Sequence, residues 1–200
     1  MPEENPLQAA LSPEPERPAL AMESHSKVAG HPLHPILIVF PLGLLGTSVI
    51  YDFLYARGKD PKTAATSQAM ITSGIAGGLA AAVPGLIDWM AIPLNTRAKQ
   101  VGQVHGLGNV AVLGLFGASW LLRRKQPDYA PTSAAVVLSL AGAGLAGFTG
   151  WLGGELIHRL GVSVDAGAHL DAPNSLVADA DGTPKSLTEA AVETDGSDET

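Results

Sequence analysis

The chain has 200 residues, a formal net charge of −7 and no cysteine, and it is 46% hydrophobic but only 16% charged. Without cysteine, disulfides, thiolate metal sites and iron–sulfur clusters are excluded, and no basic patch suggests a nucleic-acid partner. The apolar residues gather in four blocks of about twenty or more, the length a helix needs to cross a hydrocarbon core of roughly 30 Å.

Residues 1–28 are acidic and rich in proline (Pro2, Pro6, Pro13, Pro15, Pro18), with no apolar core of their own. They read as a disordered leader without a cleavable signal, so the first span serves as its own insertion signal. A hinge at Ala29-Gly30 leads into that span, at about 33–55. Pro32 and Pro35 fall in its first turn, where a missing N–H costs little, and Pro41 predicts a kink. Asp52, near Arg57, Lys59 and Lys62, reads as an interfacial charge rather than a site.

The second span, about 67–92, carries Gly74, Gly77, Gly78 and Gly85. The third, about 104–122, carries Gly106, Gly108, Gly114 and Gly117, and the fourth, about 132–158, has Gly142, Gly144, Gly147, Gly150, Gly153 and Gly154. In lipid, apolar surface gives no drive to associate, and such small faces let helices approach and pack by dispersion. Trp89, Trp120 and Trp151 stand near span ends, the depth an amphipathic ring prefers. Residues 165–200, mostly Ala, Asp, Gly, Ser and Thr, read as a disordered acidic tail. The expected fold is all-α: an integral membrane bundle of four antiparallel transmembrane helices over residues 29–164, between disordered acidic ends.

Four spans put both chain ends on one side of the membrane. Lys27, Arg97, Lys99 and Arg159 flank the spans on that side, against Arg57, Lys59, Lys62, Arg123, Arg124 and Lys125 on the other. The positive-inside rule then places the two flanking loops in the cytoplasm and the termini on the outer side.

Antiparallel threading collects polar residues on the termini side: His31 and His34, Asp88, His105 with Gln103 and Asn109, and Glu155 with His158. Ionisable groups inside a span are costly and point by default to function. His31 and His34 are three apart, as are Glu155 and His158, so each pair shares a face where it is helical. His31, His34 and His105 are the candidate ligands, with Asp88, Glu155 and His158 as second-line carboxylates and imidazole that hold a ligand or relay a proton. Three functional readings stand open: two histidines from facing helices ligating haem b, a non-haem metal ion, or a proton relay across one half of the membrane. A single Glu-x-x-His pair falls short of a di-iron bundle, which needs two such pairs and further glutamates. A structural account competes with all three, in which the histidines anchor helix ends, His105 bonds a neighbouring carbonyl and Asp88 pairs with Arg97 or Arg159.

The stretch Gly30-His-Pro-Leu-His-Pro-Ile-Leu-Ile-Val-Phe-Pro-Leu-Gly43 resembles the opening of the bacterial membrane-protein family called domain of unknown function 2231. Asp52, Ala82-Val-Pro-Gly-Leu-Ile-Asp88-Trp, His105-Gly-Leu-Gly-Asn109 and Gly150-Trp-Leu-Gly-Gly-Glu-Leu-Ile-His158-Arg-Leu-Gly-Val-Ser-Val164 fit the same pattern. The resemblance covers about residues 29–165 and implies a four-helix domain of the bacterial inner membrane with unassigned activity. Some relatives continue into a Rieske-type domain, which by analogy implies a redox role. The chain departs from the pattern at His158, often aromatic in the family, and at Leu160, often histidine, so His158 inherits no role. It also lacks the Rieske-like extension, so an electron partner is expected to be a separate protein. The sequence thus gives a multi-pass protein of the lipid bilayer, binding haem b or a metal for redox work, or else a non-enzymatic scaffold or proton relay.

Overall fold

The structure, a computed structural model, describes residues 21–172 and residue 175. The leader through residue 20 and most of the acidic tail lie outside the described residues.

A small hairpin pairs β1 (Lys27–Val28) with β2 (His31–Pro32) in antiparallel register, Val28 opposite His31. Its two-residue turn is Ala29-Gly30, with φ of 47° and 78°. Both central residues of a type I′ turn need positive φ, which glycine adopts freely. The helices follow: α1 (Leu33–Leu37), α2 (Val39–Gly58), α3 (Pro61–Ala91), α4 (Arg97–Arg124) and α5 (Ser133–His158). Taken as one span, α1 and α2 join α3, α4 and α5 as four helices long and apolar enough to cross a membrane.

The break at Ile38 between α1 and α2 has its cause in Pro41, which donates no N–H to the carbonyl of Leu37 and crowds it. The expected kink is therefore displaced to the residue after that carbonyl. The helix starts are set by local chemistry. Asp60, Thr96 and Thr132 cap α3, α4 and α5, each accepting a backbone N–H with its side chain. Helices α3 and α4 begin six or seven residues before the spans expected from hydropathy. Capping and propensity carry a helix beyond the bilayer, where hydropathy does not register it.

The four long helices pack in a ring, α2 on α3, α3 on α4, α4 on α5 and α5 back on α2, while α1 lies on α3. Thus α2 and α4 face each other across the bundle diagonal. The middle is apolar, built from Leu45, Val49, Ile71, Val112 and Phe116. Glycines set its spacing: a methyl added at Gly74 stands 2.7 Å from the Leu45 side chain, at Gly78 2.7 Å from Leu113, and at Gly142 2.8 Å from Phe116. Other glycines, including Gly43, Gly114, Gly144 and Gly147, meet nothing within 4 Å. Outside, Phe40, Ile50, Leu79, Val83, Val110 and Phe148 are each more than half exposed, an apolar belt suited to lipid.

Candidate functional site

Two polar layers flank the apolar middle, one toward each rim. On the termini side, His34 of α1 and His105 of α4 approach with ring centres 6.1 Å apart and planes at 83°. All four sides of the bundle contribute to this imidazole site. The Nδ1 of His34 is 2.8 Å from the Ala81 carbonyl of α3, and the Nδ1 of His105 is 2.8 Å from the Thr149 carbonyl of α5. A carbonyl only accepts, so both rings carry their proton on Nδ1 and present the Nε2 lone pair. Asn109, one turn along α4, donates from Nδ2 to His105 Nε2 at 3.0 Å and accepts from Thr149 Oγ1 at 2.9 Å. Two glycines make room for the rings. A methyl at Gly85 falls 2.7 Å from His34 Nδ1, and one at Gly153 falls 3.3 Å from His105 Cε1.

His31 does not join them. It belongs to β2 rather than to a helix and is exposed, so the shared helical face expected for His31 and His34 is absent. The hairpin turn is the reason, since α1 begins only at Leu33. Glu155 accepts from Arg97 Nη2 at 2.6 Å and lies 4.0 Å from Arg159 Nε, which makes it the arginine partner that sequence reading gave to Asp88. His158, at the end of α5, is exposed.

Asp88, 4% exposed, is instead covered by the chain before α1. Ser24 Oγ lies 2.9 and 2.8 Å from its two carboxylate oxygens, the His25 N–H donates at 2.8 Å, and the Ser26 and Ser163 hydroxyls stand at 3.4 and 3.2 Å. Ser24 and Ser26 are buried. The end of the expected leader is thus built into the domain, because this carboxylate gives its hydroxyls and backbone an acceptor out of water.

The opposite rim holds the second layer, and here the expectation for Asp52 is corrected. Asp52 is 2% exposed and Arg123 0%. Arg123 Nη1 and Nη2 donate to Asp52 Oδ1 and Oδ2 at 2.7 and 2.5 Å, a bidentate pair across the bundle diagonal. Ser67, Ser119 and Ser139 fill the remaining positions of the guanidinium at 3.1–3.2 Å. Sequence reading assigned Arg123 to a loop with Arg124 and Lys125. The signal available was depth: Asp52 and Arg123 fall at matching heights near the ends of the first and third spans, which run parallel.

Among the described residues, no group of three or more His, Cys, Asp or Glu side chains converges as a metal-ion site. Histidine and carboxylates of the termini side therefore divide into three separate places: the His34–His105 pair, the covered Asp88 and the Glu155–Arg97 rim.

Four long apolar helices in an antiparallel ring, with paired polar groups turned inward and an apolar belt outside, define a multi-pass integral membrane bundle. Residues 30–166 match the family described as Predicted membrane protein (DUF2231), and the chain belongs to that family. No curated protein matches the chain, and no solved structure does.

Proposed function

We propose that this membrane bundle is a redox component that holds haem b between His34 and His105. The observation that carries the reading is the imidazole pair, from two helices that approach from opposite sides, with each Nδ1 tied to a backbone carbonyl. That second bond fixes ring orientation and raises ligand basicity, the usual support for a metal-bound histidine.

The donor set favours haem over a bare ion. Two imidazoles leave a divalent cation short of the four ligands it usually takes, whereas a haem would bring most of its own donors and would be held by His34 and His105. Asn109 holds the His105 lone pair with a neutral amide and releases it by rotation of its own side chain. Bound there, the group would supply one-electron transfer within the termini-side half of the bilayer. Asp88, Glu155, His31 and His158 are not ligands in this reading. A proton relay through the whole membrane is disfavoured by the apolar layer of Leu45, Ile71, Val112 and Phe116 between the two polar layers.

The test is purification from membranes in mild detergent, followed by a visible spectrum, metal analysis and haem titration. We expect a low-spin bis-imidazole spectrum, lost in His34→Ala and in His105→Ala but kept in His31→Ala and His158→Ala. A colourless, metal-free protein whose haem titration leaves the spectrum of free haem unchanged would sink the proposal.

A further inference from the structure

We propose that residues 22–28 and 161–166 form a movable cover on the rim side of the imidazole pair, latched by Asp88. This rests on the imidazole pair being the working site, and it adds a control on access to it.

The placement along α3 carries the argument. Ala81 and Gly85 hold the His34 ring from α3. Between them, the Pro84 carbonyl accepts from Ser26 Oγ at 3.3 Å, and Asp88, three residues beyond Gly85 toward the rim, takes the donors of Ser24, His25, Ser26 and Ser163. The cover is thus bonded to α3 beside and rimward of the residues that hold the ring, and the Leu33 N–H bonded to the Ser26 carbonyl at 2.8 Å ties it to the helix bearing His34. Opening it exposes the path from water to His34.

The bonds that hold the cover to α3 converge mainly on Asp88. Every donor to Asp88 is neutral, three hydroxyls and one backbone N–H, and among the described residues no cation lies within ion-pair distance of it. The cover's other ends behave differently. Met22 and Val162 pack against Ile92 and Leu156, and Met22 exchanges backbone bonds with Gly161 and Val164 at 2.8 and 3.2 Å. That edge is the fixed one. At its far edge the Ala29-Gly30 turn supplies a pivot before α1. The cover is therefore anchored by apolar contact on one edge and held to α3 chiefly through Asp88, with one further bond to the Pro84 carbonyl.

The test reads the imidazoles themselves, in haem-free full-length protein in lipid nanodiscs. Carbethoxylation by diethyl pyrocarbonate is followed residue by residue by mass spectrometry, with exposed His31 as the internal reference. Deuterium exchange of residues 22–34 and 161–166 is followed in parallel. We expect Asp88→Ala to raise modification of His34 and His105 at least tenfold relative to His31, with faster exchange confined to the cover, and Ser163→Ala to give a smaller rise. The double variant Ser24→Ala/Ser26→Ala should reproduce the effect with the carboxylate intact. Unchanged modification in both the Asp88 and the double-serine variants overturns the proposal. So does faster exchange throughout the helices, which would make Asp88 a fold determinant rather than a latch. A failed haem titration would remove the proposed function while leaving these accessibilities readable.

Discussion

Asp52 and Arg123, 71 positions apart, clasp each other in a bidentate ion pair across the diagonal of the bundle, with side chains 1% and 0% exposed. At the other rim, His34 and His105 stand with ring centres 6.1 Å apart, each bonded not to the other but to a carbonyl of α3 or α5. Only the Asp52–Arg123 rim therefore ties α4 directly to the first span by polar bonds.

Breaking the ion pair by one partner leaves a buried charge uncompensated, so Asp52→Asn or Arg123→Gln should cost about 3–5 kcal/mol. The double variant Asp52→Leu/Arg123→Met should recover most of that loss. Ser67 and Ser119 retain the Ser48 and Ala135 carbonyls as acceptors at 3.1 and 2.8 Å. Thermal unfolding in detergent micelles measures all three, and an Arg123→Gln protein as stable as wild type would rule the pair out as a clasp.

Glycine positions should separate into two classes. Gly74→Ala drives a methyl to 2.7 Å from Leu45 and should destabilise by about 1–3 kcal/mol. Gly114→Ala meets nothing within 4 Å and should be neutral or gain up to about 1 kcal/mol from helix propensity. The same unfolding assay compares them; equal effects would mean the close packing of α2 on α3 is wrong.

The two imidazoles should each carry a proton on Nδ1, since each Nδ1 faces a carbonyl. Nitrogen-15 shifts of histidine-labelled protein in lipid read the tautomer directly. Asn109→Ala should leave it unchanged, because the Thr149 carbonyl, not the amide, fixes the ring. A proton found on Nε2 of either ring would remove that ring from the ligand assignment.

Outside the membrane, Lys27 joins the two parts of the cover, 2.6 Å from Glu23 and 3.5 Å from Asp165. Hydrogen bonding from Lys27 holds the Glu23 carboxyl below its usual value, and the Gly167 N–H holds that of Asp165 low. A carboxyl lowered on folding adds stability that is present above its unfolded value and lost as pH falls through its folded one. The window is therefore acidic, beginning near the ordinary 4.5 and 3.8 of these groups. Lys27 is raised by its bond to Glu23, so its contribution holds below 10.5 and fades only in stronger alkali. Protection of the Ala166 amide, which donates to Glu23 at 3.3 Å, should fall between pH 6 and pH 3 after correction for intrinsic exchange. Lys27→Met should weaken that dependence; a flat profile in the wild type would contradict it.

The sequence by itself determined the four spans, their antiparallel order, the side on which each polar residue falls and the family. These follow from hydropathic length and from motifs such as Gly30 to Gly43, which are local. It did not determine which face of each helix turns inward. In a soluble bundle a polar stripe marks the outer face, but in lipid the outside and the core are both apolar, so the helices carry almost no such signal. For that reason Asp52 read as a rim charge, Asn109 and Thr149 drew no role, and Asp88 was offered to Arg97 or Arg159. Only the tertiary structure, by fixing the rotation of each helix and folding residues 22–28 back over α3, decided that Asp52 meets Arg123, that His34 meets His105 and that Asp88 is bonded by Ser24, His25 and Ser26.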